Sequence, residues 1–369
     1  MSTLFIGSGA AASGDPRIRE AMIAHSAPRF IANGIDYNDF QATVLRLRSA
    51  EDWLDAWQAV ATCHERLARE AEERSSPFAG EACVRAALCH HFGKFLYFEG
   101  GDRPRARAAT RASVEDYTRA APYLNPPVER VTIPYDGTTL PGLLRRPRGL
   151  ERPPVVVLVD GLDWVKEEFF TFEPLFHRHG LATLAFDGPG QGESEFDLAI
   201  EPAYEKPVTA VVDWLQQRQD VDGGRVGVVG VSLGGYYVAR AAAYEPRLRC
   251  VVPISGPYDA GEAFDGLPPV TRHAIMVRGH AADEPAAKAL AARVTLREAA
   301  RLIKMPMLVV FGKKDDLFPP THAERLYADA GSEDKQLVLF EDGDHVCCNV
   351  PYACRPLVAD WVAERLRRA

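Results

Sequence analysis

Along the first 125 residues apolar side chains recur at three- and four-residue intervals, the spacing that lines up one face of a helix. Trp53, Trp57, Val60, Leu67 and Ala71 fall on such a face. A second helix is predicted over roughly 79–99, where Ala82, Ala86, Leu88, His91, Phe92, Phe95 and Leu96 repeat and Gly100-Gly101 stops the run. A third follows Pro104. In the segment Tyr123 to Val128 the adjacent Pro126 and Pro127 forbid helix continuation and favour extended chain. The boundary between an all-helical domain (1–125) and the remainder (126–369) is therefore placed there.

Beyond that point the grammar changes. Val131 to Tyr135, a turn at Asp136-Gly137 and Leu140 to Leu144 read as a hairpin. The runs Val155 to Val159, Ala182 to Phe186, Val226 to Val229, Val251 to Ile254 and Met307 to Phe311 are short and continuously apolar, as parallel strands covered on both faces must be. Helical patterns near 166–179, 204–218, 233–244 and 321–329 supply the crossovers, and a strand near 336–340 precedes a terminal helix to about 368. Residues 256–304 are too many for one crossover and read as a helical lid insertion. The expected fold class is α/β: a mostly parallel wound sheet fed by an antiparallel hairpin, with a lid and an N-terminal helical domain.

Composition narrows the partners. Apolar residues at 47% suffice for a large core, and a formal charge of −8, from 51 acidic and 43 basic residues interspersed along the chain, argues against nucleic acid or an anionic membrane. No run approaches the ~18 apolar residues of a spanning helix. Leu4-Phe5-Ile6 is too short for a signal core and no Lys or Arg precedes it, so a cytoplasmic location is expected. Seven cysteines without paired C-x-x-C spacing read as reduced structural thiols. A homodimer is compatible with the sequence.

The chemistry centres on Gly230-Val231-Ser232-Leu233-Gly234, directly between an apolar strand and a helical run. A serine needs an adjacent base, itself oriented by a carboxylate, to act as a nucleophile. Asp315 follows the strand at Met307, and His345 follows the next strand, giving the order Ser, Asp, His. Asp316 could orient instead of Asp315, although only Asp315 begins a D-x-x-x-P spacing with Pro319; His322 is the nearest rival to His345. The oxyanion donors would be the amide of Leu233 and, after the strand ending at Val159, that of Leu162 or of its neighbour Asp163. Asp187-Gly188-Pro189-Gly190-Gln191-Gly192 does not open a helix and is no dinucleotide fingerprint. Cys89-His90-His91 and the pair His177, His179 lack metal-ligand geometry on a helix. No cofactor and no metal are expected.

With its helical domain, Asp160-Gly161-Leu162-Asp163, Lys166-Glu167-Glu168, Phe186-Asp187-Gly188-Pro189-Gly190-Gln191-Gly192-Glu193-Ser194, Ser232, Asp315 and His345, the chain resembles the α/β-hydrolases with an N-terminal helical domain. That family includes 2,6-dihydropseudooxynicotine hydrolase and the fungal polyketide-shortening hydrolases. The resemblance implies an active site between core and helical domain. It also implies cleavage of a carbon-carbon bond beside a ketone in a 1,3-diketone-like or polyketide-like substrate. An acidic lid residue is implied as well, for which Glu262 and Asp259 are the candidates; Asp163, Lys166 and Glu167 read as structural ion-pair partners. An esterase, thioesterase or acyl-transfer enzyme would use the same triad, so the expected partner is a small-molecule ketone or ester. A catalytically silent binding protein on this fold is disfavoured by the complete Ser, Asp, His set.

Overall fold

The computed structural model describes residues 27–48, 52–95 and 103–368. Leu4-Phe5-Ile6 and residues 96–99 of the second expected helix lie outside them. The chain divides into two compact units, Met1–Val128 with Pro268–Ala274, and Glu129–Leu267 with Ile275–Ala369.

In the first unit the helices are α1 (Tyr37–Arg46), α2 (Trp53–Glu73), α3 (Ala79–Gly93) and α4 (Arg103–Ala120). Asp36 starts α1 by accepting from the Asn38 amide at 2.8 Å. The buried faces meet in an aromatic cluster: Phe30 stacks on Phe92 at 3.8 Å and meets Trp53 and Trp57 edge-on. The Trp53 indole donates to the Phe92 carbonyl at 2.8 Å, so its one polar atom is satisfied. Of the face read from the sequence, Trp53, Trp57, Val60 and Ala71 are buried, whereas Leu67 is exposed. Residue 67 sits ten positions after Trp57, about 80° short of three full turns at 3.6 residues per turn, which puts it at the edge of the buried stripe.

The second unit is built on one eight-stranded sheet in the order β1-β2-β4-β3-β5-β6-β7-β8. Its strands are β1 (Val128–Tyr135), β2 (Thr138–Arg145), β3 (Pro154–Val159), β4 (Ala182–Phe186), β5 (Asp222–Val231), β6 (Leu248–Ile254), β7 (Met307–Gly312) and β8 (Lys335–Phe340). The β1–β2 hairpin turns on Asp136 and Gly137, both at positive φ as its tight turn requires, and β2 joins β4 antiparallel. The pairs β4–β3, β3–β5, β5–β6, β6–β7 and β7–β8 are all parallel. Alternate residues explain why these strands read as unbroken apolar runs. Val155, Val157 and Val159 pack in one core with Val208, Val212 and Val238, while Val156 and Leu158 pack in the other with Phe176, Val358 and Val362.

The intervening helices are α5 (Glu173–Arg178), preceded by a 3₁₀ turn at Lys166–Thr171, then α6 (Glu205–Gln217), α7 (Leu233–Tyr244), α8 (Ala260–Ala263), α9 (Pro269–Arg278), whose residues up to Ala274 are counted with the first unit, α10 (Glu284–Ala291), α11 (Thr321–Asp329) and α12 (Pro351–Arg368). The long interval read as a lid is indeed helical, carrying α8 to α10. Chain β3 has β4 on one side and β5 on the other, so the crossovers leaving its neighbourhood run in opposite directions. Such a reversal opens a crevice at the carboxyl ends of the strands, which is where ligands meet a parallel sheet. Among the described residues no helix is long and apolar enough to cross a membrane, and all seven cysteines are free thiols, six of them buried.

Candidate active site

Strand β5 ends at Val231 and α7 begins at Leu233, leaving Ser232 alone in the turn with φ 55° and ψ −125°. A non-glycine residue rarely holds this conformation, which costs on the order of 1–3 kcal/mol and lifts the hydroxyl clear of the sheet. The turn is enforced from both sides. Ser232 donates its amide to the Ile254 carbonyl at 2.8 Å. A Cβ on Gly230 would lie 2.1 Å from the Gly234 carbonyl oxygen, and one on Gly234 would lie 2.3 Å from that of Val159. No side chain fits at either place, so the spacing of glycines around the serine is a packing requirement.

The two partners arrive from neighbouring strands. Asp315 sits in the loop after β7 and His345 in the loop after β8, and the loops are tied together by the Lys314 amide on the Gly343 carbonyl at 2.8 Å. Asp315 Oδ1 accepts from the amides of Leu317 at 3.0 Å and Phe318 at 2.9 Å. That leaves Oδ2 for His345 Nδ1, at 2.8 Å, and His345 Nε2 lies 2.8 Å from Ser232 Oγ. A carboxylate only accepts, so Nδ1 carries the proton and Nε2 is the basic nitrogen facing the serine. Burial works against a charged His345, but the Asp315 carboxylate and its hydrogen bond outweigh it, with Asp316 and Asp163 adding to the effect, and the imidazole is held above its ordinary value.

Asp316 and His322, the alternatives the sequence kept open for the acid and the base, have other surroundings. Asp315 is buried with its side chain closed to solvent and bonded to His345, whereas Asp316 is exposed. His322 accepts the Tyr258 amide on Nδ1 at 3.0 Å, and burial lowers its pKa. Leu233 is the first residue of α7 and Leu162 stands in the loop after β3. Gly161 brings that loop to the serine, since a Cβ there would be 3.0 Å from Ser232 Cβ. Among the described residues neither the Leu162 nor the Leu233 amide has a backbone acceptor. The lid carboxylates are occupied otherwise: Asp259 caps α8 and pairs with Arg297 at 2.7 Å, and Glu262 pairs with Arg325 at 2.5 Å.

Lys166 and Glu167 form a buried charge cluster, as read, but with a membership the sequence does not display. Lys166 Nζ contacts Asp187 Oδ2 at 2.7 Å, Glu193 Oε1 at 2.6 Å and Glu167 Oε1 at 2.8 Å. Asp187 also accepts the amides of Lys166 and Glu193, each at 3.0 Å. The glycine-rich loop set aside as a cofactor motif thus has a structural task. Its Gln191 donates to the Asp160 carbonyl at 2.5 Å and takes the Tyr204 hydroxyl. The sequence marked Gln191 only as a member of a family-like run and not by this role, because the two carbonyls it holds lie 30 and 31 residues upstream.

A strained serine in a strand-turn-helix, a histidine between it and a buried carboxylate, and an eight-stranded wound sheet together specify an α/β-hydrolase. Residues 15–261 match the Esterase FrsA-like family. The chain belongs to that family. Residues 175–364 also match the prolyl oligopeptidase family. The hydrolase is 34% identical over 340 residues to 2,6-dihydropseudooxynicotine hydrolase of Paenarthrobacter nicotinovorans, covering 92% of this chain and 91% of that one. It is 32% identical over 246 residues to 20-hydroxy-prefusarin hydrolase FUS2 of Gibberella moniliformis, a match spanning 62% of this chain and 58% of the fungal protein. The crystal structure of the 2,6-dihydroxy-pseudo-oxynicotine hydrolase superposes with a TM-score of 0.85 at 33% identity, covering 92% of this chain and 95% of that one.

Proposed function

We propose that this hydrolase cleaves a carbon-carbon bond next to a ketone in a 1,3-diketone-like substrate through an acyl-enzyme on Ser232. The observation that carries the reading is the continuous Ser232, His345, Asp315 chain of hydrogen bonds, each link 2.8 Å, in a protein similar along nearly its whole length to 2,6-dihydropseudooxynicotine hydrolase. Ser232 Oγ attacks one carbonyl carbon while its proton passes to His345 Nε2. The oxyanion so formed rests on the amides of Leu233 and Leu162. Collapse breaks the bond to the adjacent carbon, whose electron pair is delocalised into the second carbonyl as an enolate, and His345 returns its proton to that fragment. Water then gives a proton to His345 and its oxygen to the acyl carbon, and His345 passes that proton to Ser232 Oγ as the acyl–oxygen bond breaks, releasing a carboxylic acid and the free serine. The partner on this reading is a small-molecule ketone.

Incubation with a panel of 1,3-diketones, with products separated by mass spectrometry, is expected to yield one carboxylic acid and one methyl or alkyl ketone per substrate. Turnover of short acyl esters with no cleavage of any diketone would replace this reading by an oxygen-ester hydrolase using the same residues.

The elevated His345 pKa fixes a second expectation. The free enzyme is active with neutral imidazole, so kcat/KM falls as pH drops, and the midpoint of that acid limb lies above the ordinary histidine value of about 6.5. Asp316→Asn removes one of the carboxylates that favour the imidazolium and moves the midpoint to lower pH. A pH profile of kcat/KM for both proteins checks the direction.

A further inference from the structure

The loop that follows β3 is gripped by side chains that come from outside it. Gln191 Nε2 donates to the Asp160 carbonyl at 2.5 Å and to the Gly161 carbonyl at 3.3 Å. The next carbonyl, that of Leu162, accepts from a guanidinium nitrogen of Arg278. Arg278 is the last residue of α9 and is only 1% exposed. Its second terminal nitrogen pairs with Glu195 Oε2 at 2.8 Å, and that carboxylate is 6% exposed at its side chain. Two backbone and side-chain bonds fix the frame around them: the Ile200 amide donates to the Arg278 carbonyl at 3.0 Å, and His280 Nε2 lies 2.8 Å from the Glu195 carbonyl.

A trans peptide holds its C=O and N–H on opposite sides of one plane. Fastening the Gly161 carbonyl therefore aims the Leu162 amide, and fastening the Leu162 carbonyl aims the Asp163 amide, the two donors the sequence offers for the second arm of the oxyanion hole. A guanidinium is suited to this because one plane presents nitrogens to a carbonyl and to a carboxylate at once, which a lysine ammonium on a flexible stem does not reproduce. Glu195, buried against that charge, offsets part of the cost of burying it.

We propose that Arg278 is a positioning residue for the oxyanion loop, holding Leu162 by its carbonyl so that the loop amides stay aimed at the oxygen that becomes negative during attack by Ser232. This rests on the assignment of Ser232 as nucleophile. Arg278 touches no reacting atom; it acts through the peptide it holds. Its effect therefore falls on transition-state stabilisation, not on substrate binding.

The test uses the full chain with p-nitrophenyl butyrate as substrate and a trifluoromethyl ketone of matching length as an analogue of the tetrahedral adduct. Three variants are compared: Arg278→Lys, Arg278→Met, and Arg278→Met combined with Glu195→Gln, the last leaving no unpaired buried carboxylate. The expected result is a kcat lower by about 10- to 100-fold with KM within about threefold, since displaced oxyanion donors cost turnover and not ground-state affinity. Affinity for the trifluoromethyl ketone falls by the same factor as kcat, and the acid limb of the pH profile keeps its midpoint. The double variant, folded as judged by circular dichroism, retaining wild-type kcat and ketone affinity overturns the proposal. So does a loss of kcat matched by a loss of active-site titre with ketone affinity per titrated site unchanged, which marks a structural role. Ser232→Ala is assayed in parallel: activity surviving in it would defeat the nucleophile assignment itself, separately from the Arg278 result.

Discussion

Replacing Ser232 by alanine lowers kcat by about 10⁴-fold or more, and labelling by a fluorophosphonate probe disappears. Alanine keeps the Cβ, so the packing of the turn against Gly161 and the Ile254 carbonyl is preserved and the fold is expected to survive. What is lost is the one oxygen that the His345 imidazole can activate, 2.8 Å from Nε2. Replacing His345 by alanine is expected to cost nearly as much. The combined variant should be little worse than either single one, because a nucleophile without its base and a base without its nucleophile are equally idle. Turnover and probe labelling of the three proteins, with circular dichroism to verify folding, make the check. Multiplicative losses in the double variant, or labelling that persists in Ser232→Ala, would show that the two residues do not work as one unit.

The residues of that unit were legible for a reason. Each is a local event on the chain: Ser232 stands between a strand and a helix, Asp315 and His345 each follow a strand, and the ends of parallel strands are brought together by the sheet whatever the loops contain. The strands were legible too, because burial on both faces leaves short unbroken apolar runs rich in valine, too brief for a helix. Leu67 was misplaced because it stands about 80° round the helix from Trp57, at the edge of the stripe and farther round than Ala71, which stays buried. What the sequence hides is partnership at a distance. Lys166 and Glu167 read as ion-pair residues, but nothing in their neighbourhood says that Asp187 and Glu193, 21 and 27 positions onward, complete the cluster. Gln191 and Arg278 are hidden in the same way, since each acts on the carbonyl of a residue that reveals nothing of the contact. The two lid carboxylates Asp259 and Glu262 carry the complementary lesson: an acidic residue in a lid is drawn to nearby arginines, and both are held there by Arg297 and Arg325.

The largest loss of stability is expected from Lys166→Met. Lys166 is wholly closed to solvent and is the shared counter-ion of Asp187, Glu193 and Glu167, so its ammonium is held far above its ordinary value in spite of burial. Burial alone would raise the Asp187 carboxyl, yet Lys166 and the amides of Lys166 and Glu193 bring it below its usual range. Methionine fills much of the same volume and leaves Asp187 and Glu167 buried with that charge gone, while Glu193, partly exposed, keeps Arg130. Breaking a buried pair in this way costs about 3–5 kcal/mol, roughly 10 °C in the melting temperature of a unit this size. The pH dependence gives the cause away. In the wild type the depressed Asp187 pKa contributes stability that is present above its unfolded value and is lost as pH falls through the folded one. In the variant, desolvation is no longer opposed by the ammonium: the Asp187 pKa rises above its unfolded value, and that of Glu167, already raised by burial, climbs further. The destabilisation is then smallest at low pH and grows as pH climbs through those raised values. Melting curves from pH 5 to pH 8 should therefore diverge between the two proteins with rising pH. Removing a carboxylate as well, in Lys166→Met with Glu167→Gln, should recover part of the gap at pH 8. A constant difference at every pH would mean that the lost stability is packing and not charge. Because Asp187 anchors the loop that carries Gln191, and Gln191 holds the peptide beside Gly161, the loss of Lys166 is expected to lower turnover even at temperatures where the variant remains folded.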